Sequence, residues 1–332
     1  MEYVQKIINS NLLLYSGSYN FDNENNLFQV NNNFFYLTKI DIPNLVILYN
    51  SKIKKFTYFF KFEDSVWFNN NNLLQKIHRK NKILDISDIS QYTKNMKQIY
   101  SLDNIKELPV KLNINYDTKL IDNICNELRV IKNNFEIHNI ARACEITGNA
   151  IIYIIKNIQK YNNEENVITE FKKQILNSGA EKMAYLPICS NGKNNSILHN
   201  VYNKNKIYQN NLVLLDIGCK YNNYCSDITR TFPKSGKFTL KQKKIYSIVL
   251  ECQKYAINKL KEGIDWIELE QEVRLLMYEL LLSINLVFST NTTSSKINVT
   301  RKFMPHSLGH TVGLDVHDTK PQGKLKILKK IW

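Results

Sequence analysis

Asp216 and Asp227 each lie near the end of a mostly apolar run within "NLVLLDIGCKYNNYCSDITRTF" (211–232). An isolated carboxylate in such surroundings is costly unless it is paired or bound to a cation. The stretch reads as strand, turn, strand: Leu212–Ile217, a turn at Asn222 and Asn223, then Tyr224–Phe232. Folded back on itself as a hairpin, it lets the two acidic side chains converge. The plainer reading makes Asp216 a turn residue and Asp227 a salt-bridge partner of Arg230. A second set lies further on, where "HSLGHTVGLDVHD" holds His306, His310 and His317, three of the six histidines in the chain. His306 and His310 stand at i and i+4, but Gly309 and Gly313 argue against a helix, so a loop entering a strand at "VGLDVHD" is expected. Two carboxylates with a histidine suit a hard-to-borderline divalent ion such as Mn²⁺, Zn²⁺, Fe²⁺ or Co²⁺. The histidine cluster by itself fits a metal site or acid/base chemistry.

The elements that would position these groups are legible in part. "EIHNIARACEITGNAIIYIIKNI" places Ile137, Ile140, Cys144, Thr147 and Ile151 at helical spacing, and a second helix over 164–177 carries Val167, Phe171 and Ile175 on one face, with Gly179 as its stop. Thr239 opens a further helix with Gln242 three residues on, the signature of a capping box, and Ile245, Ile248, Val249, Cys252 and Ala256 as its stripe. Asp265 with Glu268 repeats that logic for 266–282, and a polar loop over 289–300 leads to the histidines. The order of long helices and hairpins predicts an antiparallel sheet with helices packed on one side. Earlier in the chain, the asparagine runs at 31–33 and 69–72 read as loop expansions, and "FFYLTKIDIPNLVILYN" (34–50) and "KKFTYFFKF" (54–62) read as strands of a small sheet. "ILDISDISQYTKNMKQIYSLDNI" suggests shorter strands and a helix. A domain boundary is expected near 110–120, around Pro109.

The chain has 332 residues, enough for two domains, with 43% hydrophobic residues. No apolar run approaches the ~18–20 residues of a membrane span. The first residues lack the pattern of a signal peptide, and Glu2 with no arginine nearby argues against a mitochondrial presequence; a cytoplasmic location is the expectation. None of the six cysteines forms a CxxC pair, so all are expected as free thiols. The net charge of +15 comes from lysines spread through the chain rather than clustered with stacking aromatics, which argues against nucleic-acid binding.

"VLLDIGCKYNNYCSDITRTFPKSGKFTLKQKKIYSIVLECQ" and "RKFMPHSLGHTVGLDVHDT" strongly resemble the Xaa-Pro aminopeptidases of the pita-bread metallopeptidase family, the aminopeptidase P branch first and prolidase a near second. Weaker resemblance covers "RVIKNNFEIHNIARACEIT", "SILH" (196–199) and "FFYLTKIDIPN". The resemblance implies an α/β (α+β) protein: a small non-catalytic domain over 1–118, then a pita-bread metallopeptidase domain over 119–332. It implies that Asp216, Asp227 and His310 are metal ligands, with Asp227 bridging two metals. It implies that His199, His306 and His317 surround the substrate and stabilise the tetrahedral intermediate. The implied reaction is hydrolysis, by a metal-activated water, of the bond between an N-terminal residue and proline. Peptide and protein N-termini with proline second would be the partners, Mn²⁺ the leading cofactor, and a homodimer an allowed assembly.

The family pattern continues with two glutamates after the histidine segment, one of them a general base. The last glutamate of this chain is Glu279. The resemblance therefore implies a catalytic domain lacking its C-terminal strands, with at most one weakly held ion and little activity. The expectation is that the nucleic acid beyond Lys326 encodes the missing strands in another frame or past an intron. The alternative from a different class is a non-catalytic binding protein that retains the pita-bread fold.

Overall fold

The structure is a computed structural model and describes residues 9–18, 28–62, 74, 77 and 82–319. The asparagine run at 69–72 and the lysine-rich end from Lys320 onward lie outside the described residues. By its internal contacts the chain divides into two compact units, Met1–Arg129 and Val130–Trp332.

The first unit is built on a six-stranded sheet of β1 (Asn11–Tyr15), β2 (Leu45–Asn50), β3 (Lys55–Phe60), β4 (Ile83–Asp85), β5 (Ile99–Ser101) and β6 (Tyr116–Asp117), in the order β4-β3-β2-β1-β5-β6. β2 and β3, read as strands from their aromatic and β-branched residues, pair antiparallel. Leu13, Tyr15, Val46, Leu48 and Phe59 pack with Ile86, Ile89, Ile99 and Ile105 beside the sheet. The run from Phe34 does not begin as a strand. Asn32–Thr38 is a helix, α1, capped by the Asn31 side chain, which accepts from the Phe34 amide. The asparagines expected as a loop expansion thus supply the cap and first turn, because an Asn at N-cap satisfies an otherwise orphaned amide. The aromatic run that suggested a strand instead buries Phe34, Phe35 and Leu37. A short helix α2 (Ile89–Thr93) and helix α3 (Lys119–Val130) complete this part.

The second unit carries the candidate residues. Helix α4 (Asn134–Asn157) starts with a full capping box, Asn133 with Glu136. Its buried face runs through Ala143, Ile146, Thr147, Ala150, Ile151 and Ile154, rotated from the expected stripe because small alanines let the helix lie close to the sheet. Helix α5 (Glu164–Asn177) buries Val167, Phe171 and Ile175 as expected, and Gly179 follows it at φ 89°. These helices cover the strands that follow: β7 (Lys182–Met183), β8 (Ile188–Asn191), β9 (Leu212–Ile217), β10 (Cys219–Tyr221), β11 (Tyr224–Cys225) and β12 (Ile228–Pro233). They form two three-stranded antiparallel sheets, β12-β9-β8 and β11-β10-β7.

Helices α6 (Leu240–Lys259), α7 (Trp266–Ser283) and α8 (Thr293–Arg301) come last. The capping box at Thr239 and Gln242 is present. Ile248, Cys252 and Ala256 of α6 face Leu269, Val273, Met277 and Leu281 of α7, whereas Ile245 and Val249, expected in the same stripe, are exposed. The segment expected as a polar loop over 289–300 is mostly α8. Thr292 caps it by accepting from the Ser295 amide, a signal hidden among many Ser and Thr residues. All six cysteines are free; burial pushes the Cys225 thiol up to about 12, which keeps it a neutral packing group. Among the described residues no helix is long and apolar enough to cross a membrane.

Candidate active site

The expected strand Tyr224–Phe232 is broken between β11 and β12. At that break the chain crosses its partner segment so closely that a Cβ on Gly218 would lie 1.9 Å from the Ser226 carbonyl oxygen. Only glycine fits. The crossing is held by Ser226 N–H donating to the Cys219 carbonyl at 2.9 Å. Behind it the Thr147 and Ser226 hydroxyls pair at 2.7 Å, reaching in from α4. Asp216 stands two residues before the crossing and Asp227 one after it, so the crossing itself brings the two carboxylates together.

Tyr185, just before β8, closes the pair. Its hydroxyl lies 2.5 Å from Asp216 Oδ1 and 2.8 Å from Asp227 Oδ1, and with a single hydrogen it donates to one at a time. Burial raises the Asp216 carboxyl above the usual carboxylate range; the Tyr185 hydrogen bond opposes this and the neighbouring Asp227 charge adds to it. Burial, then the Asp216 charge, holds the Tyr185 phenol far above its ordinary value, so it is a fixed donor. No motif marked Tyr185 in advance; its one sequence signal is an aromatic with a polar tip in "MAYLPIC", leading into a buried strand.

The histidine segment is seated against the same strands, though not as the expected strand: residues 313–317 form a run of bends. Gly313 N–H donates to the Asp315 carbonyl and Asp318 N–H to the Thr311 carbonyl, and these local bonds replace a sheet ladder. The Cys225 amide donates to the Gly313 carbonyl at 2.7 Å, and the buried Lys220 ammonium reaches the Leu314 carbonyl at 3.3 Å. Lys132 and Asp318 form a buried ion pair at 2.6 Å. At the other end of the segment Arg274 of α7 donates to the Met304 and His306 carbonyls.

This seating puts His310 Nε2 3.2 Å from Asp227 Oδ2 and the His317 ring 4.2 Å from that of His310, centre to centre. A cavity of about 460 Å³ opens over the carboxylates, lined by Tyr185, Leu186, Ile188, His199, Val201, Asp216, Asp227, Val316 and His317. Four of the sequence candidates thus share one cavity, His310 joins them through Asp227, and His306 stands outside the lining with its Nδ1 against the Ser307 carbonyl.

The donors suit a divalent cation in kind, and here their oxygens are met by Tyr185 and His310. Among the described residues no three His, Cys, Asp or Glu side chains are grouped so as to hold a metal ion. Tyr185 occupies the carboxylates' facing oxygens. His310 Nδ1 lies 3.0 Å from the Thr311 carbonyl oxygen and its Nε2 3.2 Å from Asp227 Oδ2.

An uncharacterized peptidase of Saccharomyces cerevisiae is 31% identical over 307 residues, 88% of this chain and 57% of that protein. A protein of Phaeosphaeria nodorum named "Probable Xaa-Pro aminopeptidase" is 31% identical over 299 residues, 86% of this chain and 65% of its own length. The chain therefore spans less than two thirds of these curated relatives. The fold is that of aminopeptidase P: the Pseudomonas aeruginosa structure superposes with a TM-score of 0.83 at 21% identity, over 100% of this chain and 82% of the other. The Escherichia coli enzyme in its low-pH form gives 0.81 at 24%, over 98% and 80%. Residues 138–329, which take in most of helix α4, the carboxylate crossing and the histidine segment, match the metallopeptidase family M24, and it is to this family that the chain belongs.

Proposed function

We propose that the chain acts as a metal-dependent Xaa-Pro aminopeptidase, hydrolysing the bond between an N-terminal residue and proline. The observation that carries this is the sharing of one cavity by His199, His317 and the Asp216–Asp227 pair. Support comes from the relatives named as Xaa-Pro aminopeptidases and from the likeness in fold to an E. coli aminopeptidase P solved with product. A proline nitrogen offers no N–H to grip, so the substrate must be held by shape and through its carbonyl. The cavity supplies apolar walls at Leu186, Ile188, Val201 and Val316, and two imidazoles able to hydrogen-bond a carbonyl oxygen as it gains charge. Family membership implies a divalent metal, and we propose Mn²⁺, given that two of the three candidate donors are carboxylates.

The test is release of the first amino acid from Ala-Pro-Ser-Ala by the purified chain with added Mn²⁺, against Ala-Ala-Ser-Ala. The expected result is slow, proline-dependent release, well below about 1 s⁻¹, abolished by Asp227→Ala, with at most one Mn²⁺ per chain by metal analysis. Release that survives Asp227→Ala, or that ignores the proline, would sink the proposal. The closed arrangement of Tyr185 and His310 favours a second reading, a binding protein that keeps the fold; proline-dependent binding with no release at all would select it.

A further inference from the structure

Another cavity, of about 430 Å³, belongs wholly to the first unit and shares no residue with the carboxylate site. It sits at one end of the sheet, where β1 and β5 begin and β2 finishes. The pairing sets Leu12 of β1 opposite Tyr49 and Asn11 beside Ile99. Asn11, the turn at 50–52 and the link at 97–98 therefore come to one edge, and Tyr92 of α2 joins them in the lining. The lining holds two lysines, Lys52 and Lys97, and no carboxylate.

Asn11 and Asn50 add donors rather than acceptors. The Ser51 amide donates to Asn11 Oδ1 at 3.0 Å and the Ser51 hydroxyl does so at 3.1 Å. The Lys52 amide donates to Asn50 Oδ1 at 3.0 Å. A backbone N–H can only donate, so these bonds fix which end of each side-chain amide is oxygen. Both oxygens are engaged by the turn, and what each side chain has left to offer is its NH₂. That of Asn11 meets the Gln98 carbonyl only at 3.5 Å, and that of Asn50 has no hydrogen-bond partner among the described residues. The Tyr92 ring stands edge-on to the buried Phe59, centroids 5.3 Å apart, which fixes it as one wall.

We propose that this cavity binds the phosphate groups of a small phosphorylated molecule. Two ammonium groups and two amide NH₂ groups, with no carboxylate to compete, match an anion that spreads negative oxygens over more than one phosphate. A simple carboxylic acid would use one or two of these donors; a polyphosphate engages all of them. A neutral or cationic ligand would leave the two lysine charges uncompensated. The volume is in the range of small-molecule sites. The proposal does not depend on the peptidase reading, because the cavity and the carboxylates belong to different units.

The test is calorimetric titration of the whole chain with sodium tripolyphosphate and, separately, with ATP. No metal is added, and salt is held at about 0.15 M to screen contacts with scattered surface lysines. Saturable binding with a Kd below about 1 mM is expected. Lys52→Ala combined with Lys97→Ala should weaken it roughly tenfold or more. Asn50→Asp should do the same and keep the turn, because the carboxylate still accepts from the Lys52 amide but presents an anionic oxygen in place of the NH₂. Lys241→Ala with Lys244→Ala, both exposed on α6, should change nothing, and an unaltered melting temperature checks the fold of each variant. Absence of saturable binding overturns the proposal. So does binding retained in either cavity variant, or lost equally in the α6 variant. ATP binding more tightly than tripolyphosphate, by a margin that Tyr92→Ala removes, makes a nucleotide stacked on the ring the source of the phosphates; equal affinity makes it a free polyphosphate.

Discussion

Tyr185 puts one polar hydrogen between two half-buried carboxylates, where their charges would otherwise meet with little screening. The value of that hydrogen lies less in one bond than in the repulsion it offsets. Tyr185→Phe keeps the ring and removes the hydroxyl. In the presence of a chelator it should lower unfolding free energy by about 1–3 kcal/mol, the cost of stripping a half-buried charged acceptor of its donor. The same change made in an Asp216→Asn background should cost at least about 1 kcal/mol less, since the repulsion is then already gone. Urea denaturation of the four proteins in that cycle measures the coupling; additive effects would show that the hydroxyl is a bystander. At this scale the sequence was informative about Asp216, Asp227, His310 and His317, because acids in apolar runs and clustered histidines are conspicuous. It was silent about Tyr185, whose function depends on which residues lie across the sheet.

Among the elements, the crossing at Gly218 and Ser226 decides the site. Two strands that simply ran on as a hairpin would place Asp216 and Asp227 by register alone. Here each arm is cut in two, β9 from β10 and β11 from β12, and the backbones approach so closely at the cut that a methyl group has no room. Gly218→Ala should therefore act like a backbone insertion. Soluble yield should fall sharply, and any folded fraction should unfold at least about 3 kcal/mol more easily, in the upper range for single substitutions. A Gly218→Ala protein with wild-type denaturation midpoint would refute the tightness of the crossing. The strand–turn–strand order was legible from the apolar runs and the Asn pair, but the cut was not, because glycine followed by cysteine carries no signal of a close crossing. Helices with caps and stripes, α5 and α7 among them, were legible for the opposite reason: their signals are local. Where local signals conflicted the expectation erred, as at α1, whose aromatics mimic a strand, and at α8, whose cap is one threonine among many.

Across the whole second unit, residues distant in sequence are joined at the histidine segment. Lys132 precedes α4 and Asp318 closes the segment, yet they meet as a buried ion pair with Gly313 packed against both. Removing one partner of such a pair strands the other charge. Asp318→Ala should cost about 3–5 kcal/mol in unfolding free energy, and Lys132→Met combined with Asp318→Leu should recover much of it. Guanidinium melts of the single and double variants decide the matter; a double variant no better than the single would mean that the pair is not what holds the segment.

The hydrogen bonds that seat the segment on the strands have a further property. Cys225 and Lys220 grip it by the carbonyls of Gly313 and Leu314, not by any side chain of the segment. Every residue possesses such a carbonyl, so this grip does not depend on the histidine side chains, whereas Gly313 and Asp318 are held to type by packing and charge. Over generations the histidines could be exchanged for other residues while the ribbon kept its berth. A descendant of this protein could thus change its chemistry by substitution alone, with no need to reinvent the geometry that presents it.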